Sequence, residues 1–189
     1  MITQVKNILF ATGNSSKLLN ARAVCSKYGI KVVQKIFEVD EIQSEDAEKV
    51  ALDKANKSFS LAKRPIVITD DSWSMLGLNG FPGVYMHSLN TWFKPEDFLR
   101  LTLPLADRRI ILTQILVYTD SQQQKVFTMR TEGKLIKEVR GSSEHASHTI
   151  TTMPGDNGLT IAEAYNKGVD RSQRQSAQIW HEFARWYAE

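Results

Sequence analysis

Two adjacent carboxylates, Asp70 and Asp71, stand directly after the apolar run Ile66-Val67-Ile68-Thr69, with Ser72 behind them. Burying an unpaired charge is costly. Carboxylates at the end of a buried strand are therefore candidates for metal ligation or general-base work, or for a polar strand exit in which one aspartate forms a turn. A second stretch that can do chemistry lies near the start of the chain. Ile8 to Ala11 is apolar, Thr12-Gly13-Asn14 is turn chemistry, and Lys17 falls one turn into a helix that begins at Ser15. A helix N-terminus presents unpaired N–H groups and the positive end of its dipole, which together bind anions. Gly13 permits close backbone approach to a phosphate, and Lys17 adds a full charge. An ordinary Asn or Ser cap with a solvated lysine accounts for the same residues. The stretch is neither a P-loop nor a GxGxxG dinucleotide fingerprint.

The third group is the acidic segment from Glu38 to Ala55, with Glu38, Asp40, Glu41, Glu45, Asp46 and Glu48 at the entry of a helix. Most of these acids favour the helix dipole. One or two remain available to a hard cation, and Lys54 to a phosphate. Hard cations such as Mg²⁺ take carboxylate and phosphate oxygens and few protein ligands. Zinc is poorly served: Cys25 stands alone, and His145-x-x-His148 reads as a loop pair. No GxSxG or other nucleophile signature appears.

The elements that must position these residues alternate. Val5 to Ala11 reads as a strand, Ser15 to Tyr28 as a helix, and Lys31 to Phe37 as a second strand. Ala47, Ala51, Ala55, Phe59 and Ala62 share a helical face, and the Ile66 strand follows Pro65. This is α/β order. Both candidate sites then fall beyond the carboxyl ends of strands, where open α/β sheets bind ligands. Residues 71–94 read as loop, Ile110 to Thr119 and Lys125 to Val139 as a long hairpin, and residues 140–157 as irregular. A final helix carries Ala177, Trp180, Phe183, Ala184 and Tyr187 on one face. Ser172-x-x-Gln175 fits a capping box for it.

The 189 residues suit one domain spanning 1–189, or one core with a smaller lobe, and 42% hydrophobic residues supply its core. A single cysteine, an early first strand that leaves no room for a signal peptide, and no bilayer-length apolar run point to a cytoplasmic protein with no membrane partner. A formal net charge of +3, from dispersed basic residues, tolerates phosphorylated ligands without indicating a nucleic-acid partner.

Taken together and in order, these motifs resemble the inosine triphosphate pyrophosphatase family, which hydrolyses non-standard purine nucleoside triphosphates. Thr12-Gly13-Asn14-x-x-Lys17 resembles the family's phosphate loop, Glu41 its metal-binding glutamate, and Lys54-Ala55 a pair on its second helix. Asp70-Asp71-Ser72 resembles its acidic pair, and Gly80-x-Pro82-Gly83-Val84-Tyr85 the loop that follows. The resemblance implies an elongated mixed α/β fold with a central sheet and two lobes, the nucleotide in a cleft between them. It also implies Mg²⁺ (or Mn²⁺ in its place) on Glu41 and Asp71, and a homodimer. Asp71 would be the general base, with Asp70 and Lys17 beside it in catalysis. Thr12, Gly13, Asn14, Lys17, Lys54 and Ser72 would hold the triphosphate.

The chain departs from the family pattern on the base side. Asn20 stands where glutamate is usual, and Val50 where asparagine is usual. Ala146-Ser147-His148-Thr149-Ile150 replaces an aromatic-plus-aspartate pocket, and Ser172-Gln173-Arg174 replaces Ser-His-Arg. His148, Lys167, Gln173 and Arg174 are the remaining candidates for contacting the base. The expectation is an Mg²⁺-dependent nucleoside triphosphate pyrophosphohydrolase of altered base specificity, cleansing the nucleotide pool. The alternative is a nucleotide-binding sensor or partner protein of the same fold without turnover.

Overall fold

The computed structural model describes residues 6–189; Val5, the first residue of the expected opening strand, lies outside them. The elements in order are β1 (Lys6–Ala11), α1 (Ser15–Cys25), β2 (Ile30–Lys35), α2 (Ala47–Ala62), β3 (Ile66–Met75), β4 (Pro82–Gly83), α3 (Met86–Trp92), α4 (Pro95–Thr102), β5 (Arg109–Thr119), β6 (Gln124–Leu135), β7 (Thr151–Thr152), α5 (Ile161–Asn166) and α6 (Gln178–Ala188). This is the expected mixed α/β class with a central sheet. The chain divides into two compact units.

The first unit holds the residues up to Asp70 with Gln114–Met129 and Ser176–Glu189. Its strand order is β2-β1-β3-β5-β6, with β1 parallel to both neighbours. Successive strand residues alternate faces. Ile8, Phe10, Val67, Leu116 and Tyr118 accordingly join a cluster with α1 and the α6 residues Trp180 and Phe183. Leu9, Ala11, Ile66, Ile68, Ile115 and Val117 join a second cluster with Ala51 and Ala55 of α2. Burial on both faces is why these strands read as continuous apolar runs.

The second unit holds Asp71–Thr113 and Arg130–Gln175, with strand order β4-β3-β5-β6-β7. Its core gathers Met75, Met86, Leu89, Phe98, Ile110, Leu135 and Ile150. Buried Arg108 donates to three backbone carbonyls, those of Thr102, Leu135 and Ile136. It ties the start of β5 to the end of β6 and to the end of α4.

Several expectations about elements need correction. β3 does not stop at Thr69. It runs through both carboxylates to Met75, where Trp73 and Ser74 pair antiparallel with Gly83 and Pro82 of β4. Residues 71–94 are therefore not a loop, because β4 supplies partners for backbone that would otherwise be unpaired. Nor is Ser172 a cap for α6, which starts at Gln178 with no side-chain cap. Ser172 sits instead in a separate 3-10 turn capped by Asp170. Among the described residues no helix is long and apolar enough to cross a membrane.

Candidate active site

The parallel register Leu9↔Ile66 and Phe10↔Val67 sets the carboxyl end of β1 beside the first residues of β3 in the first unit, so Asp70 lies within β3 and not beyond its end, contrary to expectation. The chain leaves β1 in a fixed turn. Thr12 N donates to Lys35 O at 3.1 Å, Gln34 Nε2 donates to Thr12 O at 3.0 Å, and Asn14 N donates to Thr12 Oγ1 at 3.1 Å. Asn14 caps α1, its Oδ1 accepting from Lys17 N at 3.0 Å. The Lys17 side chain turns back to β3, where Nζ lies 3.4 Å from Thr69 O, one residue before Asp70.

Gly13 carries the strongest trace of a ligand in this loop. It is exposed, its φ is not left-handed, and a Cβ placed on it meets nothing within 4 Å. Neither backbone conformation nor chain packing requires glycine there. The backbone there is open to close approach from outside.

The acidic segment divides between helix capping and lysine pairing. Asp46 caps α2, accepting from Glu48 N at 3.0 Å and Lys49 N at 3.1 Å. Lys57 pairs with Asp53 at 2.8 Å and donates to Asp40 O at 2.7 Å. Glu41, exposed, forms an ion pair with Lys54 of α2. Two residues expected to hold metal and phosphate thus pair with each other. Among the described residues no group of three or more His, Cys, Asp or Glu is arranged around a metal position. Mg²⁺ needs no such group, since one or two carboxylates and phosphate oxygens suffice. Glu41, Asp70 and Asp71 offer hard oxygen donors and nothing softer, a set that fits a hard divalent cation. Strand alternation sends Asp70 and Asp71 to opposite sides of β3.

The second unit contains the residues expected to meet the base. Half-buried Asp71 and buried Ser72 lie in β3. His148 sits in a 3-10 turn over Ala146–Thr149, its Nδ1 3.2 Å from Ser143 Oγ and its ring edge-on to Tyr165 at 5.9 Å. Burial, with lesser effects from neighbouring His145 and Arg174, pushes its pKa down to about 3, so the imidazole is neutral near pH 7. Lys167 and Gln173 are exposed, Lys167 at the carboxyl end of α5.

Arg174 is not a free base contact. It is buried and grips buried Asp156 through Nε to Oδ1 at 2.8 Å and Nη2 to Oδ2 at 2.5 Å. Its guanidinium lies 4.5 Å from the Tyr165 ring centroid, and that of Arg171 lies 4.3 Å from the same centroid. Asp156 and Tyr165 escaped sequence reasoning. Asp156 lies in Pro154-Gly155-Asp156-Asn157-Gly158, which has the composition of a solvated turn. The signal that could have found Tyr165 is Thr160-x-x-Glu163, a capping box that starts α5.

The Ham1 family model matches residues 8–178 of the chain. A dITP/XTP pyrophosphatase of Methanopyrus kandleri is 28% identical over 183 residues, 95% of each chain. One from Thermococcus kodakarensis is 28% identical over 182 residues, covering 96% of this chain and 97% of that one. In structure, a HAM1 protein from Coxiella burnetii superposes with a TM-score of 0.76 at 18% identity, over 96% of this chain and 98% of that chain.

Proposed function

Because the chain belongs to the Ham1 family, we propose that it is a nucleoside triphosphate pyrophosphohydrolase, releasing a nucleoside monophosphate and pyrophosphate. The observation that carries this reading is the Thr12–Lys17 turn. It combines a glycine open to approach, a capped helix N-terminus and a lysine held against β3 beside the acidic pair. The names of the relatives, dITP/XTP pyrophosphatases, give the same direction.

The roles follow from the chemistry of the residues. Backbone N–H groups of the Thr12–Asn14 turn and the ammonium groups of Lys17 and Lys54 hold phosphate oxygens. Lys54 does so by leaving Glu41, which frees the Glu41 carboxylate. Asp71 accepts the proton of the attacking water, and Asp70 keeps the neighbouring field negative. Glu41 and Asp71 would hold Mg²⁺, and a hard cation there would neutralise charge on the reacting phosphoryl group.

Base selection is shallow. The segment Ala146–Ile150 offers no aromatic platform and no aspartate, and Arg174 has Nε and Nη2 engaged by Asp156. Strong rejection of analogues requires several buried polar groups left unpaired by the wrong base. Pyrophosphate release with Mg²⁺ over a panel of inosine, xanthosine, guanosine, adenosine and pyrimidine triphosphates tests both statements. The expected result is pyrophosphate and monophosphate in equal amounts, with inosine triphosphate favoured by less than about 10²-fold. Orthophosphate in place of pyrophosphate, or no turnover of any triphosphate, overturns the activity.

A further inference from the structure

Asn157 and Gly158 form the exposed tip of a turn in the second unit, both with left-handed backbone, at φ 53° and 75°. A Cβ placed on Gly158 meets nothing within 4 Å. Leu159 N donates to Asp156 O at 2.9 Å and closes the turn around them. Among the described residues the peptide joining Asn157 to Gly158 is hydrogen-bonded at neither its carbonyl nor its N–H, and the Asn157 side-chain amide has no partner. Asparagine followed by glycine occurs once more in the chain, at Asn79-Gly80. Asn79 is also exposed and left-handed, at φ 53°. The difference lies in the next amide: Gly80 N donates to Met75 O at 3.0 Å.

Asparagine is a thermolabile residue. Its side-chain amide is lost when the following backbone nitrogen attacks Cγ. That attack needs a following residue with no side chain in the way, and a nitrogen free of hydrogen bonds. Glycine meets the first need at both positions. Only Gly158 meets the second.

We propose that Asn157 is a site of spontaneous modification in the folded chain, converted to aspartate and isoaspartate, while the bond on Gly80 holds Asn79 back. The step balances with water alone. Gly158 N gives up its proton and bonds to Asn157 Cγ, and the side-chain nitrogen leaves as ammonia, closing a five-membered imide. Water then opens the imide at either carbonyl. One opening gives aspartate; the other gives isoaspartate, whose main chain runs through Cγ and is longer by a carbon. Nothing is oxidised or reduced. The turn must open for the nitrogen to reach Cγ, and exposed loop tips open locally at little cost. The flanks give the product its effect. Asp156 is fully buried with its carboxylate on Arg174, and Gly158 O accepts from Arg140 Nη2 at 2.7 Å. An added main-chain carbon lengthens a link fixed at both ends, so isoaspartate loosens the second unit.

The test is to age the chain in mildly alkaline buffer, folded and in urea, and to follow both asparagines by peptide mapping with mass spectrometry. In urea the two pairs, each followed by a bulky apolar residue, should convert at similar rates. In the folded chain Asn157 should convert about fivefold faster than Asn79 or more, the factor that one hydrogen bond on the Gly80 amide gives. Equal rates in the folded chain, faster conversion of Asn79, or conversion of Asn157 in urea alone overturns the proposal. Asn157→Gly removes the amide while keeping a backbone conformation that glycine favours. Its urea midpoint should hold on ageing, whereas that of the wild type falls as isoaspartate accumulates. A wild-type midpoint that holds after Asn157 has converted overturns the loosening.

Discussion

The first unit keeps its chemistry-bearing groups exposed or half-buried, whereas the second buries several of its own. Gly13 and Glu41 are exposed, and Thr12, Asn14, Lys17 and Lys54 are half-buried. They are held by backbone caps and by an exchangeable ion pair. In the second unit Ser72, Asp156 and Arg174 are buried, and His148 is held neutral by its surroundings. Hydrated groups can change partners at little cost, since exposed ion pairs contribute roughly 0–1 kcal/mol. Buried polar groups cannot, because each loss of a partner leaves an uncompensated charge or dipole. The first set is therefore suited to gripping and releasing a highly charged ligand. The second makes recognition and stability inseparable. Substitutions should divide by burial: loss of function with an intact fold at exposed and half-buried groups such as Lys17 and Asp71, loss of stability at the buried ones.

The largest effect is expected at Asp71, the proposed general base, whose amide replacement is nearly isosteric. Asp71→Asn removes the acceptor for the water's proton, and loss of a positioned general base lowers kcat by about 10²–10⁴-fold. Triphosphate affinity and Tm should change little. Pyrophosphate release with a parallel binding titration checks this, and a wild-type rate in the variant assigns the base elsewhere.

His148 probes the inward side. Unfolded, its imidazole titrates near 6.5; folded, near 3, first because of burial and then because of His145 and Arg174. Between those values the unfolded chain binds the additional proton. The stability contributed by the neutral imidazole is thus full above about pH 6.5 and is lost progressively as pH falls toward 3. His148→Gln cannot titrate, so its stability should fall less than the wild type's between pH 7 and pH 4, by at most about 3 kcal/mol. Urea midpoints at the two pH values measure the difference. Equal losses in both chains place His148 in water and erase the contrast between the units.

How much of this was legible in the residues follows the same division. The strand–turn–helix at residues 8–25 was readable because its pattern is local: an apolar run, turn residues, then helical spacing. The α2 face over Ala51 and Ala55 was readable for the same reason. The extension of β3 through Asp70 and Asp71 was not, because its partner β4 is a two-residue strand whose pairing depends on tertiary contacts. The Asp156–Arg174 pair was hidden more deeply. Its members lie eighteen residues apart, each in a polar, turn-like setting, and only packing buries them. Motifs for exposed chemistry survive in sequence as spacing, whereas buried pairs exist only once the chain has folded. Lys54 is an intermediate case, since its helix was legible and its pairing with Glu41 was not.

Lys17 gives the smallest and most selective effect. Its ammonium reaches Thr69 O at 3.4 Å, a long contact to a neutral acceptor that contributes little to the fold. A phosphate oxygen would replace it with a charge-assisted bond of about 1.5–3 kcal/mol. Lys17→Ala should therefore weaken triphosphate binding by about 10–100-fold, leave the matching nucleoside nearly unaffected, and leave the urea midpoint unchanged. The three measurements separate the roles. A residue of the inward set would lower stability together with both affinities, because its contacts belong to the fold. A purely surface lysine would move none of them. Equal weakening of nucleoside and triphosphate would show that Lys17 shapes the unit rather than gripping phosphate. Because phosphate contacts are screened by salt and buried contacts are not, the wild-type advantage over Lys17→Ala should also shrink as ionic strength rises. The same titration on His148→Gln should be flat.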